Sequence, residues 1–414
     1  MWPQRATKLF LALAFCAQAG WAQSPRAEPN WVGSWASAQQ IPEAQNSLSA
    51  GDLRDATLRQ LVHLSIGGEG LRVRISNAFG TAPLEFTSVH IARAVSSASP
   101  RIDASTQRAL TFSGRPDVSI PAGAEYTSDP IAFRAAAQSD LAITFHLDAP
   151  PAVETSHPGS RATSYLVHGN HVADADLAGA ITFDHWFNLA GVDVSAPPGA
   201  AAIVALGDSI TDGRGSTTNG NDRWPDDLAR RLRAAMPARS RAVLNLGIGG
   251  NRLLLDGLGP SALARFDRDV LAEAGVRYLI VLEGINDVGA FGLKGSTPQA
   301  EHERLVHSII AAYEQMVRRA HRHGIRVFGG TLTPFSGSAY YKAAAMSEAD
   351  RVAVNRWIRA PGHFDAVIDF DLALRDPQQP AALLPAYDSG DHIHPSPAGY
   401  RAMANAIRLA DFGP

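Results

Sequence analysis

The fold is decided by the stretch Ala202-Ile203-Val204-Ala205-Leu206-Gly207-Asp208-Ser209-Ile210-Thr211-Asp212-Gly213. Its first five residues are all apolar, which is typical of a strand buried on both faces in a parallel sheet covered by helices. The glycine and polar residues that follow indicate a tight turn at the carboxyl end of that strand. Such turns carry the functional groups of open parallel sheets, so Ser209 and its neighbours are the first candidates for a site.

The same pattern recurs through the C-terminal half of the chain. Further apolar runs predict buried strands at Ala242–Leu246, Tyr278–Leu282, Arg326–Leu332 and Val367–Phe370. Between and after them, the spacing of apolar residues predicts helices at Trp224–Met236, Ser261–Ala274, Pro298–His323, Ser347–Arg359 and Pro397–Leu409. This alternation predicts an α/β domain over residues 199–414, with a five-stranded parallel sheet covered on both sides.

The N-terminal half follows a different pattern. Apolar and polar residues alternate in short runs, such as Leu58–Ile66, Leu71–Ile75 and Leu141–Leu147, and glycine, proline or asparagine bounds the runs. This pattern predicts antiparallel strands with one solvent-facing side, stacked as a β-sandwich accessory domain over residues 23–198. Its aromatic residues can fill the sandwich core, which we favour, or stack on sugar rings; they are Trp31, Trp35, Tyr126, Tyr165 and Trp186.

Length and composition exclude several classes of protein. The chain has 414 residues, of which 45% are hydrophobic and 19% charged, which suits two or three packed domains and excludes a mainly disordered chain. Its net charge of −3 gives no general attraction to nucleic acid or to anionic lipid. The single cysteine, Cys16, excludes an internal disulfide and a cysteine-ligated metal cluster.

The first 22 residues predict export from the cytoplasm. Arg5 and Lys8 precede the apolar run Leu9–Ala17, and the small residues Gly20 and Ala22 follow it. This order is typical of a cleaved secretory signal peptide, and we place the cleavage after Ala22, with Ala19 as second choice. The apolar run is too short to span a bilayer. We therefore expect a periplasmic or extracellular protein without stable membrane insertion.

Three predicted strand ends carry residues suited to acyl chemistry. Ser209 can project its hydroxyl from the first turn, although capping a helix is an equally good role for it. The consecutive glycines Gly249 and Gly250 let backbone N–H groups approach a ligand, but glycines also simply permit turns. Asn286 can donate to a developing negative oxygen, although a turn-capping asparagine is the ordinary explanation.

The last candidate loop contains a carboxylate and an imidazole at a useful spacing. Asp391 and His394 are three residues apart, so one helix-like turn would bring the two side chains together. The carboxylate can then orient the imidazole, and the free ring nitrogen can accept a proton from a serine. The alternative is a metal site built from His392, His394 and an aspartate.

Taken in order, these loops resemble the sequence blocks of the SGNH hydrolases, also called the GDSL esterase/lipase superfamily. Gly207-Asp208-Ser209-Ile210 matches the first block, Gly250 the second, Gly284-Ile285-Asn286-Asp287 the third, and Asp391 with His394 the fourth. The matches cover roughly half of the chain, from about Ala200 onward. Trp31-Val32-Gly33-Ser34-Trp35 is similar to a secreted subgroup in which a β-rich domain precedes the hydrolase domain.

The resemblance implies a flavodoxin-like three-layer α/β/α domain and a serine esterase mechanism. Ser209 would be the nucleophile, His394 the general base and then acid, and Asp391 its orienting partner. Ser209 and Gly250 would contribute backbone N–H groups to an oxyanion hole, and Asn286 its side-chain amide. No metal and no organic cofactor is implied.

The substrate that we expect is a small-molecule or polysaccharide ester, with a short acyl (acetyl) or aryl ester on carbohydrate favoured, and nucleic acid is not expected as a partner. The alternatives are a lipase or lysophospholipase-type acylhydrolase, a metal-dependent hydrolase and a non-catalytic carbohydrate-binding protein.

Overall fold

The computed structural model of the protein describes residues 29–295, 297–341 and 345–413. The predicted signal peptide, residues 1–22, lies outside the described residues. Within these ranges, no helix combines the length and the apolar character that crossing a bilayer requires.

The N-terminal half consists of antiparallel strands, as its alternating pattern predicts. In chain order they are β1 Trp31–Ala36, β2 Ala56–His63, β3 Gly68–Ser76, β4 Leu84–Phe86, β5 Ser88–Ala94, β6 Ile102–Ala109, β7 Val118–Ile120, β8 Glu125–Thr127, β9 Ile131–Ala135, β10 Asp140–Leu147, β11 Ser156–His157, β12 Ser164–His168, β13 Ile181–Phe183, β14 Trp186–Phe187 and β15 Leu189–Ser195. One sheet has the order β1-β15-β3-β8, with β9 also paired to β3, and a second has the order β13-β12-β2-β10-β5-β6. Leu58 and Val73, from different sheets, belong to one buried apolar cluster, as in a sandwich.

The central strand β2 differs from the expected strand with one wet face, because it is buried on both sides. Arg59 lies on the outer face, where Nη1 and Nη2 donate to the carbonyls of Pro100 and Asp174 at 2.5 and 2.7 Å. Burial lowers the pKa of Arg59 to about 10. The segment around Asp174 covers this face, and Leu177 packs with Leu61 there. On β2, polar residues at alternating positions therefore do not indicate a solvent-exposed face.

The C-terminal half alternates strands and helices. Its elements are β16 Ala201–Gly207, α1 Ser209–Asp212, α2 Trp224–Ala235, β17 Arg241–Gly247, α3 Ala262–Phe266, β18 Val276–Leu282, α4 Ile285–Gly292, α5 Gln299–Arg322, β19 Arg326–Gly330, α6 Ala345–Arg359, β20 Ala366–Ile368, α7 Phe370–Leu374 and α8 Pro397–Ala406. The strands form a parallel sheet in the order β17-β16-β18-β19-β20. Helices α2 and α7 contact α8, whereas α3 and α6 contact α5, so the helices form two separate groups. This is the predicted three-layer architecture.

Several element boundaries differ from the expected ones. The strand expected to end at Phe370 stops at Ile368, because Asp369 caps a new helix, α7, by accepting the N–H of Leu372 at 3.1 Å. The helix expected from Ser261 divides into α3 and a π-helical turn, Asp267–Leu271. The third candidate loop becomes helix α4 after its first two residues.

The two halves of the chain share one apolar core, in which Val32 of β1 and Leu244 of β17 are both fully buried. The backbone N–H of Gly33 donates to the carbonyl of Ala274 at 2.9 Å. Arg74 and Glu273 form a buried ion pair of 2.6 Å across the same contact. The predicted boundary between residues 198 and 199 falls between β15 and β16. The apolar core continues across this boundary, so the division into two domains stays a prediction.

Candidate active site

Ser209 lies at the carboxyl end of β16, in the tight turn that leads into α1. Gly207 permits this turn, because a Cβ atom at its position would lie 2.2 Å from the hydroxyl oxygen of Thr211. Asp208 caps the helix, since its Oδ1 accepts the N–H of Ile210 at 2.9 Å. Asp208 therefore caps the helix, and the Ser209 hydroxyl is free to bind another partner.

That partner is the imidazole of His394. Ser209 Oγ lies 2.8 Å from His394 Nε2, and His394 Nδ1 lies 2.6 Å from Asp391 Oδ2. The backbone N–H of His394 also donates to Asp391 Oδ1 at 2.9 Å. The structure thus brings the three residues together in the order serine, histidine, aspartate, from segments that are 185 residues apart.

The electrostatics of this chain of hydrogen bonds suit proton transfer. Burial alone would raise the pKa of Asp391, but hydrogen bonds from the ring and backbone of His394 hold that pKa well below its usual value. The ionised carboxylate accepts the proton on Nδ1, which leaves the Nε2 lone pair facing the serine hydroxyl. The ring of Tyr340 packs edge-on to His394 at 5.6 Å, and His394 is 4% exposed.

Two backbone N–H groups predicted to bind a negative oxygen lie in the same cleft. Gly250 has a φ of 69°, a left-handed conformation that glycine adopts without strain. The N–H groups of Ser209 and Gly250 have no acceptor among the described residues. Both residues line one cleft together with Asn286. The predicted oxyanion-hole residues are therefore grouped around the serine.

The side-chain amide of Asn286 is held by two opposed hydrogen bonds. Its Nδ2 donates to the carbonyl of Asn251 at 2.7 Å, and its Oδ1 accepts the hydroxyl of Tyr341 at 2.8 Å. The carbonyl of Asn251 can only accept, so it fixes which end of the amide is the donor, and one Nδ2 hydrogen remains for another acceptor. Sequence reasoning missed Tyr341, because nothing in the pattern of its loop distinguishes it.

A buried arginine fixes the carboxyl ends of the neighbouring strands β16 and β17. Arg265 donates to the carbonyls of Gly207 and Leu246 at 3.0 and 2.6 Å and to Asn251 Oδ1 at 3.1 Å. It also forms an ion pair of 2.9 Å with Asp269. Sequence reasoning missed this residue too, since an arginine inside a predicted helix is ordinarily solvent-exposed. Its role is to hold the serine turn and the glycine loop at a fixed distance.

The carboxylate of Asp287 holds the other side of the glycine loop. It accepts the backbone N–H groups of Leu253 and Leu254 at 2.7 and 3.0 Å. Arg252, in the same loop, donates to the backbone carbonyl of Asp256. The loop after β17 is therefore attached to helix α4 by Asp287 and Asn286 in succession.

Comparison with known proteins agrees with this geometry. The model of the GDSL-like lipase/acylhydrolase family matches residues 205–402. These residues belong to that family. They form a hydrolase domain. A comparison with curated proteins found no match to the chain.

Solved structures similar to about half of the chain include enzymes of three sources. LAE5, an alpha/beta hydrolase enzyme from the metagenome of Lake Arreo, is 25% identical over 52% of this chain and 96% of its own, with a TM-score of 0.38. A variant of Axe2, an acetyl xylan esterase from Geobacillus stearothermophilus, is 23% identical over 52% and 96%, with a TM-score of 0.39. A GDSL-like lipase from Bacteroides thetaiotaomicron VPI-5482 is 18% identical over 50% and 86%, with a TM-score of 0.36.

The cleft above the serine of this hydrolase domain has a volume of about 400 Å³, and both halves of the chain line it. The N-terminal half supplies nine of its twenty lining residues, which the alternating pattern did not predict. These residues are Gln40, Glu43, Gln45, Asn46, Pro158, Gly159, Arg161, Asp184 and His185. Hydrophobic periodicity carries no information about contacts between distant loops, so it could not predict which residues of the N-terminal half line the cleft.

The expected sugar-stacking aromatics belong mainly to the core. Trp35, Tyr165 and Trp186 are buried, and the rings of Trp35 and Trp186 meet edge-on at 4.8 Å. Trp31 is partly buried, and Tyr126 is 39% exposed. Packing, rather than ligand stacking, accounts for the three buried rings.

A buried pair, His157 and Asp212, joins the N-terminal half to α1, the serine helix that begins at Ser209. His157 Nε2 lies 2.9 Å from Asp212 Oδ1, and His157 Nδ1 lies 2.7 Å from the carbonyl of Ala38. Both ring nitrogens face acceptors, so the pair needs a proton at each nitrogen or a proton on the carboxyl group. Asp212 is three residues from Ser209 and also lines the cleft.

Two buried carboxyl groups lie beneath the site. Burial raises the pKa of Asp208 to about 7 and raises the pKa of Glu283 well above its usual value. Neither oxygen of Glu283 has a hydrogen-bond partner among the described residues. The charge of Asp208 further raises the pKa of Glu283, and the charge of Asp287 raises the pKa of both groups.

The two histidines of the alternative metal site have different partners. His394 is bonded to Ser209 and Asp391, whereas His392 Nδ1 lies 2.5 Å from Asp388 Oδ2. Each imidazole therefore already has its own carboxylate, and the geometry favours the serine arrangement over a shared ion.

Proposed function

We propose that this protein is a serine esterase that hydrolyses carboxylic esters through an acyl-enzyme intermediate. The observation that carries the proposal is the unbroken contact from Ser209 through His394 to Asp391. An activated hydroxyl, an adjacent base and an orienting carboxylate are what nucleophilic acyl transfer requires.

The first step forms the acyl-enzyme. Ser209 Oγ attacks the ester carbonyl carbon while His394 Nε2 accepts the hydroxyl proton. The carbonyl oxygen becomes negative and receives hydrogen bonds from the N–H groups of Ser209 and Gly250 and from Asn286 Nδ2. Asp391 stabilises the protonated imidazole, which then gives its proton to the leaving alcohol.

The second step releases the acid. A water molecule takes the place of the alcohol, His394 accepts one of its protons, and the resulting hydroxide attacks the acyl carbon. The tetrahedral oxygen again faces the donors, and collapse returns the proton to Ser209. In both steps His394 acts first as base through Nε2 and then as acid, while Asp391 holds the ring in place.

For the substrate, we propose a short acyl or aryl ester carried on carbohydrate, encountered after export. The polar wall from Gln40 to Asn46 supports this choice, because amide and carboxylate groups suit a hydroxyl-rich alcohol. The lipase alternative is favoured by Leu255 and Leu258, which are 62% and 45% exposed in the loop beside the cleft. A series of 4-nitrophenyl esters from acetate to palmitate, run beside acetylated xylan, separates the two.

Covalent labelling tests the reaction class. A fluorophosphonate probe is expected to label the wild-type protein at Ser209 and not to label Ser209→Ala. A metal-dependent hydrolase would resist the probe and lose activity with a chelator. A non-catalytic carbohydrate-binding protein would resist the probe, turn over no ester and still bind polymer as Ser209→Ala.

A further inference from the structure

Arg161 lies in the active-site cleft and has no charged partner among the residues that the structure describes. It comes from the N-terminal half and lines the same cleft as Ser209 and His394. Its side chain makes no hydrogen bond or ion pair with any residue in the described ranges, and its Nε atom is buried. Arg265 and Arg351, which are buried, differ because they pair with Asp269 and Asp371. Arg161 is only partly buried, so the N–H groups at the end of its guanidinium can reach an acceptor that a ligand supplies in the cleft.

The backbone of Arg161 is strained and is held in place from several sides. Its φ of 49° lies in the left-handed region, which is strained for a residue other than glycine. Asn219 donates its backbone N–H to the carbonyl of Arg161 at 2.8 Å, and its side chain binds Thr163 through bonds of 2.8 and 2.9 Å. Ser160 Oγ closes the turn on Ala162 at 2.7 Å. Strain that is maintained in this way at a cleft indicates a binding role.

The acidic residues of the cleft already have partners. Glu43 accepts from Gln40 and Asn46 at 3.0 and 2.7 Å. Asp184 accepts from Thr163 and Thr218, both at 3.3 Å. Asp212 is bonded to His157 through Oδ1, while its buried Oδ2 has no hydrogen-bond partner among the described residues.

A second cation faces the same cleft. Arg214 lines it, is exposed, and has its guanidinium 5.7 Å from the ring of Tyr340. It likewise has no ion pair with any residue that the structure describes. The two arginines of the cleft are therefore available to a ligand, whereas its carboxylates are already hydrogen-bonded.

We infer that Arg161 binds a carboxylate of the substrate, so that the preferred esters are anionic; this inference rests on the proposed esterase function. A planar guanidinium binds a carboxylate through two parallel N–H···O bonds, which fixes both distance and orientation. The carboxylate belongs either to the alcohol part, as in an acidic sugar, or to the acyl part, as in the half-ester of a dicarboxylic acid.

Two pairs of isosteric esters distinguish these sources. For the alcohol side, 3-acetoxybenzoate is compared with 3-acetoxybenzamide, and for the acyl side, the mono-4-nitrophenyl ester of adipic acid is compared with its carboxamide. The wild-type protein is expected to prefer the carboxylate in one pair by about 10- to 100-fold in kcat/KM, which is the range for a hydrogen bond to a charged group. The pair that shows the preference identifies the side of the ester that faces Arg161.

Variants then assign the preference to the residue. Arg161→Gln is expected to abolish the carboxylate-to-carboxamide ratio, and Arg161→Lys to retain part of it, because the charge remains but the planar fork is lost. Arg134→Gln, which changes an arginine side chain that is 81% exposed on β9, is the matched control and should keep the wild-type ratio. Thermal unfolding of each variant shows whether the fold is intact.

The inference is overturned if the wild type shows no carboxylate preference in either pair, or if Arg161→Gln keeps it. Hydrolysis of all four esters without preference refutes only the role of Arg161. Absence of any hydrolysis, together with absence of fluorophosphonate labelling, refutes the esterase proposal and the inference with it.

Discussion

Removing the Tyr341 hydroxyl tests whether the amide of Asn286 acts on the transition state. Tyr341→Phe deletes the 2.8 Å bond to Asn286 Oδ1 and leaves only the 2.7 Å bond from Nδ2 to the carbonyl of Asn251. The amide can then turn away from the oxyanion. A single net hydrogen bond contributes about 0.5–1.5 kcal/mol, so kcat is expected to fall about 2- to 13-fold while KM changes little.

A double-mutant cycle gives this prediction a sharp form. Asn286→Ala removes the donor itself and is expected to lower kcat by about 10²- to 10³-fold. In that background Tyr341 has no amide to orient, so adding Tyr341→Phe should change kcat less than about twofold. Steady-state kinetics with 4-nitrophenyl acetate measures all four proteins, and Tyr126→Phe, at a partly exposed site on β8, is the control.

The opposite result would show that Tyr341 acts elsewhere. If Tyr341→Phe lowers kcat equally in both backgrounds, its effect does not pass through Asn286. A supporting variant is Gly289→Ala on α4, because a Cβ atom there would lie 2.5 Å from the Tyr341 ring and displace it. That variant should reproduce the loss in kcat and should likewise have no further effect when Asn286 is alanine.

Three further predictions concern the carboxylates around the serine. Asp391→Asn should lower kcat by about 10³- to 10⁴-fold without unfolding the protein, since Asn cannot stabilise a protonated His394; kinetics and thermal unfolding check this. Burial raises the pKa of Asp208 from 3.8 to about 7, so the folded state retains a proton that the unfolded chain loses, and stability should fall by roughly 4 kcal/mol between about pH 4 and pH 7. Asp208→Asn, which keeps an oxygen for the cap, should remove the contribution of Asp208 to that slope in urea unfolding and leave the contribution of Glu283, and an unchanged slope would contradict the assignment. His157→Phe should cost about 3–5 kcal/mol by leaving the carboxylate of Asp212 buried and unpaired, and adding Asp212→Asn should restore most of it; equal losses in the single and double variants would refute the pairing.

The sequence was sufficient for the sheet and for the residues at its edge, for a physical reason. Strands buried on both faces are continuous apolar runs, and parallel strands bring their carboxyl ends to one edge. Ser209 and Asn286 follow two such runs directly, so their proximity could be predicted from the pattern. Asp391 and His394 follow none of them, but their three-residue spacing indicated the contact.

The supporting residues were not predictable in the same way, because their roles depend on contacts that no local pattern records. Arg265 looks like a surface arginine until the π-helical turn after α3 and the burial of its side chain are known. Tyr341 lies in an irregular loop whose position depends on packing against Gly289. Helix α4 was expected to be a loop, since Gly284 and Asn286 are turn-forming residues and the apolar spacing that follows is short.

The N-terminal half is expected to act as part of the active site rather than as a separable attachment. It shares a core with the hydrolase domain, provides the partner of Asp212 on the serine helix, and holds Arg161 in the cleft through Asn219 of the hydrolase domain. Each contact couples the position of a cleft residue to the packing between the halves. A substitution that loosens that packing, such as Gly33→Leu against Leu244, should therefore lower discrimination between substrates before it abolishes turnover of a small activated ester. If selectivity and turnover instead fall in parallel, the two halves affect only stability, and the wall of the cleft has no part in recognition.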